Sequence, residues 1–228
     1  MKFDIITIFP EIFKNYFNHS ILKKTKEKKL IKIEIHNLRD FADDNHKTVD
    51  DKPFGGGRGM VMKIEPIYQC IQFLKSKIPA SPTNRQEKSK VILFTPRGKK
   101  FNQKIAYSLS QLDQLILICG RYEGIDERVA KNIADIELSM GDYVLMGGEL
   151  PALTLIEAVT RLIPGVIGKS ELLGQRITKQ KNFIEYPQYT RPELFEPKKG
   201  IKWQAPKILL SGHQKKIEDW RKKHSKTI

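Results

Sequence analysis

The sequence predicts an α/β protein built on a parallel sheet. Three observations carry that expectation. Residues 91–95 and 115–119 are compact apolar runs of strand length. Each is followed by a glycine-bearing turn and then a helical stretch, the strand–loop–helix alternation that yields parallel pairing. Hydrophobic residues make up 39% of the 228, enough to build a real core in a chain of this size.

The elements follow in order. Residues 3–9 form a β-rich run that ends at Pro10. The acid inside it, Asp4, argues for a first strand and against a secretory leader. From Glu11 one helix is expected, growing basic towards its end through Lys23, Lys24, Lys26, Lys28 and Lys29. Residues 31–35 alternate apolar and polar, as a second strand does. Residues 39–60 lose that periodicity and collect Asp, His, Gly and Pro, the marks of a long ordered loop. A helix is expected over 64–77, an exposed polar loop over 79–90, and a further helix over 149–163, closed by Pro164 and Gly165. Beyond Gly168 the composition turns Lys- and Pro-rich. The chain therefore divides into a domain over 1–167, a linker over 168–183 and a small, mainly helical domain over 184–228. The end of the small domain, 215–226, reads as a basic amphipathic helix with Ile217 and Trp220 on one side.

Charge narrows the partner. Lys and Arg number 41 against 26 Asp and Glu, a net charge of +15. An excess of that size fits a polyanion, because each phosphate neutralised releases a condensed counterion. A merely soluble basic surface is the competing explanation. The two cysteines, Cys70 and Cys119, lie far apart inside apolar runs, and the five histidines show no ligand spacing, so neither a disulfide framework nor a structural metal is expected. No apolar stretch approaches a membrane span, and a cytoplasmic location is expected.

Three glycine-rich segments are candidates for chemistry. The first, Pro53-Phe54-Gly55-Gly56-Gly57-Arg58-Gly59-Met60, permits positive φ and close approach to the backbone, but lacks the Gly-Lys-Ser/Thr ending of a phosphate loop. A flexible tether is its plain alternative. The second, residues 119–128, follows an apolar strand and opens a helix; its Glu123 and Asp126 could serve only as dipole partners. The third, residues 141–151, turns at Gly147-Gly148, and Pro151 suits a first helical turn.

Taken together and in this order, these segments resemble the bacterial tRNA (guanine-N1)-methyltransferase family, of the SPOUT type. The matching pieces are Ile6 to Glu11, Thr48 to Gly57, Cys119 to Arg128, Gly141 to Pro151, Arg161 to Val166, Tyr186 to Pro192, and Leu210-Ser211-Gly212. The resemblance spans nearly the whole chain. It implies a deep trefoil knot in the C-terminal part of the α/β domain, a feature no periodicity reveals. It implies three loops that hold S-adenosylmethionine: Leu93, Phe94, Thr95 and Pro96; Gly120, Arg121, Tyr122 and Glu123; and Met140, Gly141, Asp142, Tyr143, Val144 and Leu145 with Gly147 and Gly148. It further implies transfer of a methyl group to N1 of guanosine 37 in tRNA, with guanosine 36 preceding. The protein is implied to be a homodimer whose site is shared between subunits, with a magnesium dependence for which no ligand set is legible.

N1 of neutral guanine carries a proton, so the reaction requires a general base. By resemblance Arg161 stabilises charge on the base oxygen, where a helix C-terminal cation is the alternative reading. The family's usual acid would fall near Ile177 and Thr178, and no carboxylate stands there. Glu171 is the expected replacement base and Glu185 the expected acid on the RNA side, unless the linker register is shifted. Asp50, Gly55, Gly56, Gly57 and Arg58, with Lys215 and Arg221 of the last helix, are the expected RNA contacts; a solvated face competes for each lysine run. Three other functions stay in contention. A non-enzymatic RNA-binding protein explains the charge but not the glycine turns. A SPOUT relative methylating ribose or another base, and a decayed member that binds donor or RNA without turnover, complete the set.

Overall fold

The computed structural model describes residues 1–77, 88–168, 177, 178, 180 and 182–227. The chain divides into two compact units, 1–170 and 171–228.

The first unit runs β1 (Lys2–Thr7), α1 (Glu11–Lys14), α2 (Ser20–Glu27), β2 (Lys32–Asn37), β3 (Asp50–Asp51), β4 (Val61–Met62), α3 (Ile64–Ser76), β5 (Ser89–Lys100), α4 (Gln103–Leu109), β6 (Gln114–Ile118), α5 (Glu127–Asn132), β7 (Ile136–Ser139) and α6 (Glu149–Thr160). Five strands form one sheet in the order β2-β1-β6-β5-β7, and every pair is parallel. A parallel strand covered on both faces needs a nearly continuous apolar run. β6, the middle strand, is buried at all its residues. Alternate side chains feed two cores. Phe3, Ile5, Ile92, Leu115 and Leu117 pack with α1, α2, α4 and α6, while Ile6, Val91, Ile116 and Ile118 pack with α3 and α5.

One polar side chain interrupts this arrangement. Asp4 of β1 is fully buried. It accepts hydrogen bonds from Gln114 Nε2 at 2.7 Å and pairs with His36 Nε2 at 2.8 Å and Lys2 Nζ at 3.0 Å. Lys2 also reaches Glu34 at 2.9 Å. Asp4, Glu34 and His36 are the only group of potential cation ligands among the described residues, and their two carboxylates are already engaged, Asp4 and Glu34 by the bridging Lys2 ammonium and Glu34 also by Lys32. Burial pushes the Asp4 carboxyl up; the hydrogen bonds from His36, Gln114 and Lys2, with the Lys2 charge, outweigh it and hold the group below the ordinary value.

Several expectations are corrected. The helix from Glu11 is two helices, parted by a 3-10 turn at Tyr16–Asn18, an extended His19 and a left-handed Ser20 at φ 51°. The loop over 39–60 contains the short antiparallel pair β3–β4. Of the loop expected over 79–90, residues 79–87 lie outside the described residues and Ser89 already belongs to β5. The helix expected to reach 163 ends at Thr160.

The second unit contains β8 (Ile184–Glu185), β9 (Leu194–Lys198), β10 (Ile201–Gln204), α7 (Lys207–Leu210), α8 (Gln214–Lys223) and β11 (Lys226–Thr227). β9 and β10 form an antiparallel hairpin, and β8 pairs with β11. Helices and strands thus share the described residues of this unit about equally, where a mainly helical unit was expected. The segment 194–204 places large apolar residues on both sides of Lys199-Gly200, and Gly200 at φ 86° lets two residues close a hairpin there. The basic helix is present as α8, with Ile217 buried.

Candidate active site

The carboxyl ends of β5, β6 and β7 lie side by side, where open parallel sheets receive ligands. Beyond them three loops enclose a cleft of ≈ 370 Å³. The first wall is Leu93, Phe94, Thr95 and Pro96, followed by Arg97. The second is Gly120, Arg121, Tyr122 and Glu123, followed by Gly124 and Ile125. The third is Met140, Tyr143, Val144, Leu145, Met146, Gly147 and Gly148. Fourteen of the sixteen residues expected from the three loops thus border one space. Gly141 and Asp142 do not. Gly141 lies behind the Tyr143 ring, and Asp142 turns outward to pair with Lys100.

Each wall has a local cause. After Phe94 the pairing of β5 with β7 breaks, then resumes at Lys99 opposite Leu138, which releases residues 95–97 towards the cleft. Gly98 lies flat against β7: a Cβ there would come within 2.6 Å of Leu138 N. The second wall is a tight turn, closed by Gly124 N donating to Arg121 O at 3.2 Å, with Tyr122 in the left-handed region at φ 60°. Glu123 N donates to Met60 O at 3.1 Å, and a Cβ on Gly59 would meet Glu123 Cγ at 2.4 Å. The first glycine segment therefore ends against the second. The third wall is pinned by Gly148 N donating to Gly120 O at 2.9 Å. A Cβ on Gly148 would stand 2.6 Å from Cys119 Cα, so the two loops meet backbone to backbone.

Behind the cleft lies a polar triad that the sequence reading did not single out. Glu149, buried at the start of α6, accepts from Thr7 Oγ1 at 2.8 Å and from Arg121 Nε at 2.9 Å. The Arg121 guanidinium also sits 4.7 Å from the Phe9 ring centre. A single carboxylate thus ties the end of β1 to two cleft loops. The signal available was a Thr inside the run Ile5-Ile6-Thr7-Ile8. At the mouth, Arg97 pairs with Glu127 and with Glu137 at 3.3 Å. Burial, then the Glu149 charge, pushes the Cys119 thiol well above its ordinary value, which leaves it unreactive.

The remaining predicted residues fall elsewhere. Arg161 is the residue after α6, about 18 Å along that helix from its start at the cleft, and it is not among the lining residues. Asp50 sits in β3. Gly55, Gly56 and Gly57 have φ of 88°, 79° and 126°, and the exposed Arg58 follows them. Glu171 lies outside the described residues. In the second unit, Glu185 stands in β8 opposite Lys226. Lys215 is exposed on α8, and the Arg221 guanidinium lies 5.1 Å from the Tyr186 ring centre.

The fold and this cleft define a class: a parallel α/β protein whose site is built from three strand-end loops of one sheet. The sequence then places it within that class. The profile of the family described as tRNA (Guanine-1)-methyltransferase TrmD matches residues 1–228, and the chain belongs to that family. Proteins named tRNA (guanine-N(1)-)-methyltransferase are similar throughout. That of Dictyoglomus turgidum is 52% identical over 225 residues, covering 99% of this chain and 85% of its own. That of Carboxydothermus hydrogenoformans is 50% identical, covering 99% and 83%. That of Clostridioides difficile is 48% identical, covering 99% and 92%.

Proposed function

We propose that this protein transfers the methyl group of S-adenosylmethionine to N1 of guanosine 37 in tRNA, next to guanosine 36. The observation that carries the reading is the single cleft into which three distant segments converge, in a chain of this family. The cleft fits such a donor. Its volume suits a nucleoside-sized ligand. Leu93, Ile125, Leu138 and Pro151 offer apolar surface for a purine, and Gly120 and Gly147 present backbone where side chains would intrude. Of the two carboxylates at its border, Glu127 is paired with Arg97, and Glu123 is the one placed to favour a cation.

When bound, S-adenosylmethionine supplies a methyl group on a positively charged sulfur. The chain's own residues position the partners and handle the acceptor's proton. Glu171 takes the proton from N1, Glu185 serves the RNA side, and Arg161 balances the charge left on the base oxygen. Residues 1–167 hold the donor, with the knot in their C-terminal part. Residues 184–228 hold tRNA, joined by the linker 168–183. Asp50, the glycine loop with Arg58, Lys215 and Arg221 contact the RNA. The active form is a cytoplasmic homodimer in which the small domain of one subunit closes the cleft of the other; Mg2+ assists. Support for the dimer is the apolar surface at the cleft's third wall and just after it: Val144 and Met146 of the wall, and Leu150, are 80%, 89% and 58% exposed.

A second reading has its own observation. No carboxylate occurs between Glu171 and Glu185, so a member that binds donor without turnover remains in contention. Nucleoside analysis of tRNA after incubation with donor and protein decides between them. The proposal expects 1-methylguanosine. A ribose-methylated product, or donor binding with no product, overturns it.

A further inference from the structure

The β9–β10 hairpin carries a feature that the methyl-transfer cleft does not use. Every residue of both strands is exposed. Phe195 and Trp203 are cross-strand partners with ring centroids 5.7 Å apart, and they remain 51% and 62% exposed. A cross-strand aromatic pair helps hold a hairpin together, yet it does not require more than half of both rings to face water. Hydrophobic surface of this kind normally marks a contact.

The surrounding charge selects the partner. Lys198, Lys199 and Lys202 belong to the same hairpin, at and next to its turn, whereas Glu196 is engaged by the Gly200 N–H at 2.7 Å. The unit 171–228 contains fourteen Lys and Arg against six Asp and Glu, which is +8 of the chain's +15 in about a quarter of its length. An apolar protein partner gains nothing from such a field. A nucleic acid does, and only an unpaired nucleotide exposes a base face to an aromatic ring.

We infer that the Phe195–Trp203 face of this hairpin is a stacking platform for an unpaired nucleotide of the tRNA, outside the donor cleft. The inference rests on the reading that tRNA is the substrate. The base lies against the Trp203 indole, and the lysines at the turn hold the adjoining phosphates. Stacking of one base on an aromatic residue changes affinity by about tenfold.

The test uses the full-length chain. In a Trp220→Phe background Trp203 is the sole tryptophan, and saturating tRNA is expected to quench its emission. Trp203→Ala is expected to raise the KM for tRNA about tenfold, leaving kcat and donor affinity unchanged, while Trp203→Tyr restores most of the loss. The inference is overturned by an unquenched emission at saturating tRNA, or by an unchanged KM in Trp203→Ala. It is equally overturned by a Trp203 emission already blue-shifted without RNA, which means another part of the protein covers the ring. Quenching does not depend on turnover. Quenching without methylation therefore rejects the proposed function and keeps the platform, whereas methylation with an unchanged KM does the reverse.

Discussion

Glu149 shows how much rests on one side chain. Its carboxylate is buried, and among the described residues the cation bonded to it is Arg121, so removing that cation strands a charge away from water. Arg121→Met is expected to cost about 2–4 kcal/mol of stability, at the lower end for buried pairs because the guanidinium retains some solvent. Denaturant unfolding measures this. Arg121→Met combined with Glu149→Gln should recover part of the loss, since the neutral amide still meets Thr7. A loss below about 1 kcal/mol in the single variant would place the triad among ordinary surface pairs. This triad was hidden in the sequence for a definite reason. Thr7 and Glu149 stand 142 residues apart, and an acid at a helix start already has a local explanation in the helix dipole. Nothing nearby marks Glu149 as buried. The glycines were more legible: clusters of them have few uses besides turns and close approaches, and Gly148 and Gly98 are both tight approaches.

Strands β1 and β6 and the 91–95 stretch of β5 could be read directly because burial on both faces leaves an apolar run that few other structures need, whereas the exposed continuation of β5 to Lys100 falls where a turn was expected. The α1–α2 break could not be read, since no glycine or proline stands over 11–27 to mark it, and Ser20 takes its left-handed conformation without one. The β3–β4 pair, two residues on each strand, is too short to leave a period. The β9–β10 hairpin was missed because its lysines mask the alternation. Within β1, Asp4 links stability to pH. Its carboxyl is held below the ordinary 3.8 in the folded state. The stabilisation is therefore complete above that value and is lost as pH falls through the folded value. Asp4→Asn should lower stability at neutral pH by about 1–3 kcal/mol, and its stability should fall less steeply on acidification than that of the parent protein. Equal acid slopes would show that Asp4 carries no linkage.

Across the whole molecule, composition and order gave the α/β class, and the glycine segments marked where the loops gather. The path by which those loops meet is a property of topology, which the local period does not encode. The same limit applies to the general base. Glu171 belongs to the expected linker over 168–183, and no carboxylate stands at Ile177 or Thr178, so chain order alone does not place an acid at the cleft. The most direct measurement of the proposed function is transfer from labelled S-adenosylmethionine to two tRNA transcripts, one with guanosines 36 and 37 and one with guanosine 37 replaced. Incorporation into the first alone is the predicted result. Equal incorporation into both would contradict the assigned acceptor, and none into either with donor binding intact would contradict the claim of catalysis.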